Sequence, residues 1–167
     1  MKKAALILVI LFLCLWSLAA CSSNSKTDKA IKEVNQNCEV PFDLGLPESE
    51  LQNTDEYIRN QGFGGYSLEN DDVSFSMGGY PDVLDNYHII EYQIKTTKYT
   101  LFGLSVGCSL DEADQVMEQY GYTISTEDNW WSRYTKNGVR IGVGLDGDVV
   151  AVFHVSVEVT NKENVVF

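Results

Sequence analysis

Alternate residues are hydrophobic from Val139 to Leu145 and again from Val149 to Val159, with only Asp146-Gly147-Asp148 between the two runs. Strand side chains point to opposite faces in turn. Val139, Ile141, Val143 and Leu145 should therefore share one side of a sheet, with Val149, Ala151, Phe153, Val155, Val157 and Val159 beside them on the next strand. Asn137-Gly138 and Asp146-Gly147 accept the positive φ of tight hairpin turns. Two shorter runs, 122–126 and 130–136, precede these strands across Glu127-Asp128-Asn129. The spacing predicts a four-stranded antiparallel meander with one buried face.

Just upstream the period becomes helical. Ser109-Leu110-Asp111-Glu112 is a capping box, Leu110, Ala113, Val116, Met117 and Tyr120 recur at helical spacing, and Gly121 is placed to end the helix in a left-handed conformation. An amphipathic helix of about three turns would cover the apolar side of the meander. The other side would present Arg140, His154, Ser156 and Glu158, with Arg133 and either Trp131 or Trp130 nearby. Aromatic and Arg side chains are the usual anchors of protein contacts, so Trp131, Arg133, Arg140 and His154 form the expected interaction surface.

A fainter copy of this plan occupies the first half. Residues 44–51 (Leu-Gly-Leu-Pro-Glu-Ser-Glu-Leu) align with 106–113 (Val-Gly-Cys-Ser-Leu-Asp-Glu-Ala), and 58–63 align with 117–122, at offsets of 62 and 59. The alignment places a first helix between Pro47 and Gly62, three residues longer than the second. Strands follow at 73–77, with Val73, Phe75 and Met77 on one side, and at 87–95, with Ile90, Tyr92 and Ile94 on one side. Asn70-Asp71-Asp72 and Gly78-Gly79-Tyr80-Pro81-Asp82 break the run as turns. The expected fold class is α+β: tandem units, 30–98 and 99–167, each an amphipathic helix packed on an antiparallel β-meander. Either unit alone has too small a core to be stable.

Met1-Lys2-Lys3, an uncharged run from Ala4 to Ala20, and Leu18-Ala19-Ala20-Cys21 at its end resemble the signal and lipobox of a bacterial lipoprotein. The resemblance implies that 1–20 are a signal peptide, that Cys21 takes up acyl chains such as palmitate, and that a lipid anchor holds the protein at the extracytoplasmic face of a membrane. Residues 21–29 read as a flexible tether, and Ala30, Ile31 and Val34 as a short helical turn. Without Lys2 and Lys3 the chain carries 10 basic against 24 acidic residues, a balance of −14. Such charge disfavours nucleic acid, whose phosphates need clustered Lys and Arg, and disfavours anionic headgroups. It should keep the domain soluble and standing off the membrane.

Gly107-Cys108-Ser109-Leu110-Asp111-Glu112-Ala113, Gly121 and the meander after it resemble the small envelope lipoproteins of the SmpA/OmlA type and the β-lactamase inhibitor protein, which share helix-on-meander units. This resemblance covers about 104–159 and, more weakly, about 42–95, through short motifs. A non-enzymatic module without a cofactor is expected, with a protein or an envelope polymer as partner.

With Cys14 in the signal and Cys21 lipidated, Cys38 and Cys108 remain. Outside the reducing cytosol they form a disulfide or stay as two free thiols. Neither has a second Cys or His at zinc spacing, and the acidic turns lack the spacing of a calcium loop, so no metal is expected. Gly103-Leu104-Ser105-Val106-Gly107 fits the Gly-x-Ser-x-Gly elbow, with Asp146, Asp148 and His154 following in hydrolase order. A small serine hydrolase using Ser105 is thus the rival reading, although an elbow needs a strand-to-helix turn in a parallel sheet. An accessory ligand-binding lipoprotein is the third, in a chain too short for two lobes that close on a solute.

Overall fold

The computed structural model describes residues 24–62, 65–78, 87–125 and 133–157. Eight strands form an antiparallel sheet: β1 (Ile58–Gly62), β2 (Gly65–Glu69), β3 (Val73–Gly78), β4 (His88–Ile94), β5 (Thr123–Ile124), β6 (Tyr134–Lys136), β7 (Val139–Asp146) and β8 (Val149–Val157). Their spatial order is β1-β2-β3-β4-β8-β7-β6-β5. Among the described residues two helices, α1 (Asn24–Gln36) and α2 (Leu110–Gln119), bury Ala30, Val34, Ala113 and Met117 in the same apolar core as the strands. The class is mixed α and β, and the antiparallel sheet dominates it.

Helix α2 follows its sequence signals at both ends. Ser109 Oγ accepts from the amide of Glu112 at 3.2 Å. At the other end Gly121 takes φ +76°, its amide donates to Glu118 O, and the Tyr122 amide donates to Met117 O. This pair of bonds satisfies carbonyls that the last turn would otherwise leave open. Helix α1, by contrast, is longer than the polar sequence before Ala30 suggests. The stretch expected as a tether is helical from Asn24 onward, because Ala30 and Val34 are buried one turn apart and Thr27 rests against Gly138 in the β6–β7 turn. Tertiary burial, more than propensity, holds such a helix.

The expected helix between Pro47 and Gly62 does not form. Short 3-10 turns at Glu48–Glu50 and Thr54–Glu56 lead instead into β1, an edge strand whose five residues are all exposed. An edge strand with no buried side chain has no apolar alternation to read. The meander from β5 to β8 forms with the turns predicted, Asn137 at φ 48° and Gly138 at 84° closing β6–β7.

Two bulges shift the predicted faces. Gly144 pairs with Val152 and Leu145 with Val150, which leaves Ala151 unpaired. An extra residue in one strand flips the alternation beyond it. Phe153, Val155 and Val157 are inward as expected, yet Val150 is buried while Val149, Ala151 and Leu145 are exposed. On β4, Met77 pairs with Ile89 and Ser76 with Glu91, so Ile90 is the extra residue and Ile89 takes the core position.

The central strands are related by a shift of 61 residues. It carries the core residues Ile89, Tyr92 and Ile94 onto Val150, Phe153 and Val155, and the bulge residue Ile90 onto Ala151. It also carries the registered pair Tyr92↔Val155 onto Phe153↔Ile94 and maps Gln93↔His154 onto itself. The seam between β4 and β8 therefore has local two-fold symmetry. The loops beside it match as well, Gly45, Leu46 and Glu48 at a shift of 62: the amides of Gly45, Ile89 and Glu48 donate to Ile89, Leu46 and Tyr87 carbonyls, while those of Gly107, Val150 and Leu110 donate to Val150, Cys108 and Asp148.

Gly45 and Gly107 occupy equivalent places in these loops at φ 88° and 98°. A Cβ on Gly107 would meet nothing within 4 Å, so its cost is conformational. Gly107→Ala should lower unfolding stability by about 1 kcal/mol, read as a drop in the urea midpoint at unchanged slope.

Candidate functional site

Adjacent rows of residues across the sheet have opposite character. Leu68, Phe75, Tyr92, Val155, Ile141 and Tyr134 are registered partners on the helix side, and all are buried. One step along each strand, the other side carries Asn60, Ser67, Ser76, Glu91, Ser156, Arg140, Thr135 and Thr123. This second row is polar over all eight strands. Its ends, Asn60 and Thr123, are exposed and the six residues between them are half-buried.

The next position along β8 on this polar side is His154, flanked by Gln93 on β4 and Gly142 on β7. Sequence alternation placed His154 in solvent, but it is only 2 % exposed. Its Nε2 lies 2.9 Å from Oε1 of Glu91, and Ser76 Oγ donates to that same oxygen at 3.4 Å. Arg140 stands two strands from Glu91, with Ser156 between them. The outer face thus brings one carboxylate, one imidazole and one guanidinium together among short hydroxyl side chains.

Arg133 belongs elsewhere. Its Nε and Nη2 donate to the two carboxylate oxygens of Asp114 on α2, at 2.9 and 2.6 Å, and Tyr134 adds a third bond at 2.8 Å. Arg133 therefore ties the helix to the sheet rather than lining the outer face. Trp131 and Cys21 lie outside the described residues.

Cys38 and Cys108 are both free thiols, so the possible disulfide is not formed. Cys38 bridges Leu101 beside Tyr92, whereas the backbone of Cys108 is bonded to Val150 at the start of β8. Burial raises the pKa of each thiol above its ordinary value. A raised pKa leaves less thiolate, the reactive form.

Ser105 follows a tight turn, Leu101-Phe102-Gly103-Leu104, closed by two reciprocal amide bonds of 2.9 Å with φ of 53° and 79° at its centre. Tyr120 and Tyr122 pack on Phe102 with ring centroids 4.5 and 5.7 Å away, which holds a bulky residue in a left-handed conformation. Ser105 O accepts from Cys108 N, and α2 begins only after Ser109. The parallel strand-to-helix setting of a hydrolase elbow is not what surrounds this serine.

The chain matches no protein-family model, no curated protein and no solved structure. Its reading therefore rests on its own residues. Alternation over 87–95 already left Glu91 and Gln93 opposite Tyr92, but their place beside His154 depends on β4 pairing with β8, for which the sequence carries no local signal.

Asp114 offers a test of the helix clamp. Burial pushes its carboxyl upward, yet bonds from Arg133 and Tyr134 and the Arg133 charge outweigh this and hold it below its ordinary value. A depressed folded-state pKa adds stability above the unfolded pKa of about 3.9 and loses it as pH falls through the folded value. Asp114→Asn should unfold at lower urea than wild type at pH 7. The gap between them should hold down to about pH 4 and close below it, whereas a gap that persists into acid would contradict the clamp.

Proposed function

We propose that this protein is a lipid-anchored extracytoplasmic lipoprotein that docks a protein or an envelope polymer on the outer face of its sheet, without catalysis. The polar row carries the reading. Ser67, Ser76, Ser156 and Thr135 keep side chains short, while Glu91 and Arg140 place opposite charges at its middle. Complementary charges on a partner would fix register and orientation on such a face. The lipobox ending at Cys21 supports the anchor, and among the described residues no helix is long and apolar enough to cross a membrane.

The same proposal reads the sheet as two copies of one meander unit joined at their last strands. The matched loop bonds of Gly45 and Gly107 and the 61-residue relation of β4 to β8 support it. A helix stands at the equivalent place only in the second copy, as α2; the first has 3-10 turns there.

Two measurements test the proposal. Cells fed labelled palmitate should yield labelled wild-type protein and unlabelled Cys21→Ala; label on the variant would remove the anchor. A photo-crosslinking residue at Asn60, Ser67 or Thr123 should give discrete adducts in intact cells, and one at Glu118 on α2 should give none. Adducts confined to Glu118 would move the docking surface to the helices.

A further inference from the structure

The basic residues of this acidic chain are unevenly engaged. Arg59, Lys95, Lys98, Arg133 and Lys136 each face a carboxylate, on Glu48, Glu69, Asp72, Asp114 and Glu33 in turn. Arg140 lies in the polar row. Lys26, Lys29 and Lys32 are exposed and make no ion pair among the described residues. All three lie on α1 at spacings of three, so they form one oblique stripe that starts a turn before buried Ala30 and winds away from Ala30 and Val34 toward Lys32. Of the two carboxylates on the helix, Glu33 is held by Lys136, which leaves Asp28 as the near counter-charge.

Local rules do not account for this stripe. No acidic residue stands in the first turn of α1, where the helix dipole favours one, and Lys26 occupies that turn instead. A helix that breaks its own electrostatic preference, with three exposed lysines in no ion pair among the described residues and Asp28 and Asp43 as the nearby carboxylates, points to a partner outside. Chain position says what that partner is. Asn24 follows Cys21 by three residues, and three residues of chain reach at most about 11 Å. The lysine-bearing helix therefore starts within a headgroup layer's distance of the anchoring sulfur.

We infer that Lys26, Lys29 and Lys32 seat α1 on an anionic phospholipid surface, as a second electrostatic contact beside the lipid at Cys21. This rests on the proposed anchor and revises the expectation that net charge alone keeps the whole domain off the bilayer. The excess of carboxylates belongs to the rest of the molecule, so the same field that draws α1 down pushes the remainder outward. The protein would stand on the membrane in one orientation, and its seating would weaken with salt because the contacts are at the surface.

The test uses full-length protein matured in cells and reconstituted in vesicles, probed with an impermeant amine-acylating reagent and mass spectrometry. On phosphatidylglycerol vesicles the three lysines should react several-fold more slowly than on phosphatidylcholine vesicles, and 1 M salt should abolish the difference. Lys95 and Lys98 serve as internal references whose reactivity should be the same on both. Replacing all three lysines by Gln should lower the phosphatidylglycerol preference by about 100-fold in a competition between vesicle types, at about tenfold for each 1.4 kcal/mol. Equal reactivity on both lipids, with an acylated N-terminal peptide in the same spectrum, would overturn the inference and leave the anchor standing. A non-acylated N-terminal peptide would overturn both. Protection that appears only when soluble poly(glycerol phosphate) is added to neutral vesicles would assign the stripe to an anionic polymer and overturn the lipid contact.

Discussion

Pairing of β4 with β8 is the contact on which the rest of the molecule depends. The buried residues of both halves form one core cluster, and the seam makes Phe75 and Tyr92 continuous with Val155 and Ile141. Burying a side chain of this size contributes about 2 kcal/mol, against about 1 kcal/mol net for a typical backbone hydrogen bond. The apolar row therefore fixes the register, and the ladder bonds follow it. A slip of one residue at the seam would turn Tyr92 and Val155 outward and bring Glu91 and Ser156 into the core.

Much of the second half was legible before any coordinates. The capping box of α2, its glycine terminator, both hairpin turns and the antiparallel meander all depend on interactions within a few residues, and such interactions leave local patterns. The polar identity of the outer face was legible too, through Arg140 and Ser156. Burial of His154 was not, because alternation places it on the polar side of β8 with Arg140 and Ser156 and says nothing of what lies over that position. The bulges at Ile90 and Ala151 were hidden for a related reason: an extra residue is defined by the partner strand, and runs such as Val149-Val150-Ala151-Val152 fit either phase.

The first half misled for a different cause. Its match to the second holds in the loop of Gly45, where the backbone geometry is the same, and fails after Pro47, where Glu48 starts a 3-10 turn instead of a helix. The second half has Ser109 to cap its helix. At the equivalent place Pro47 has no side-chain bond to offer, and a 3-10 turn of three residues asks for none. Alignment found the shared loop and could not see the missing cap.

The self-image of the seam has one further consequence. Every position near it has a counterpart on the other side, and on the axis Gln93 and His154 are each other's counterpart. The polar row lies to one side of that axis: the shift of 61 carries Glu91 and Ser156 onto Val152 and Lys95, so the row is not its own image. Beside an axis where a carboxamide answers an imidazole, the row runs from Glu91 on β4 across Ser156 to Arg140 on β7, so the face has a direction, and a molecule laid across it would meet different chemistry according to which way round it arrived.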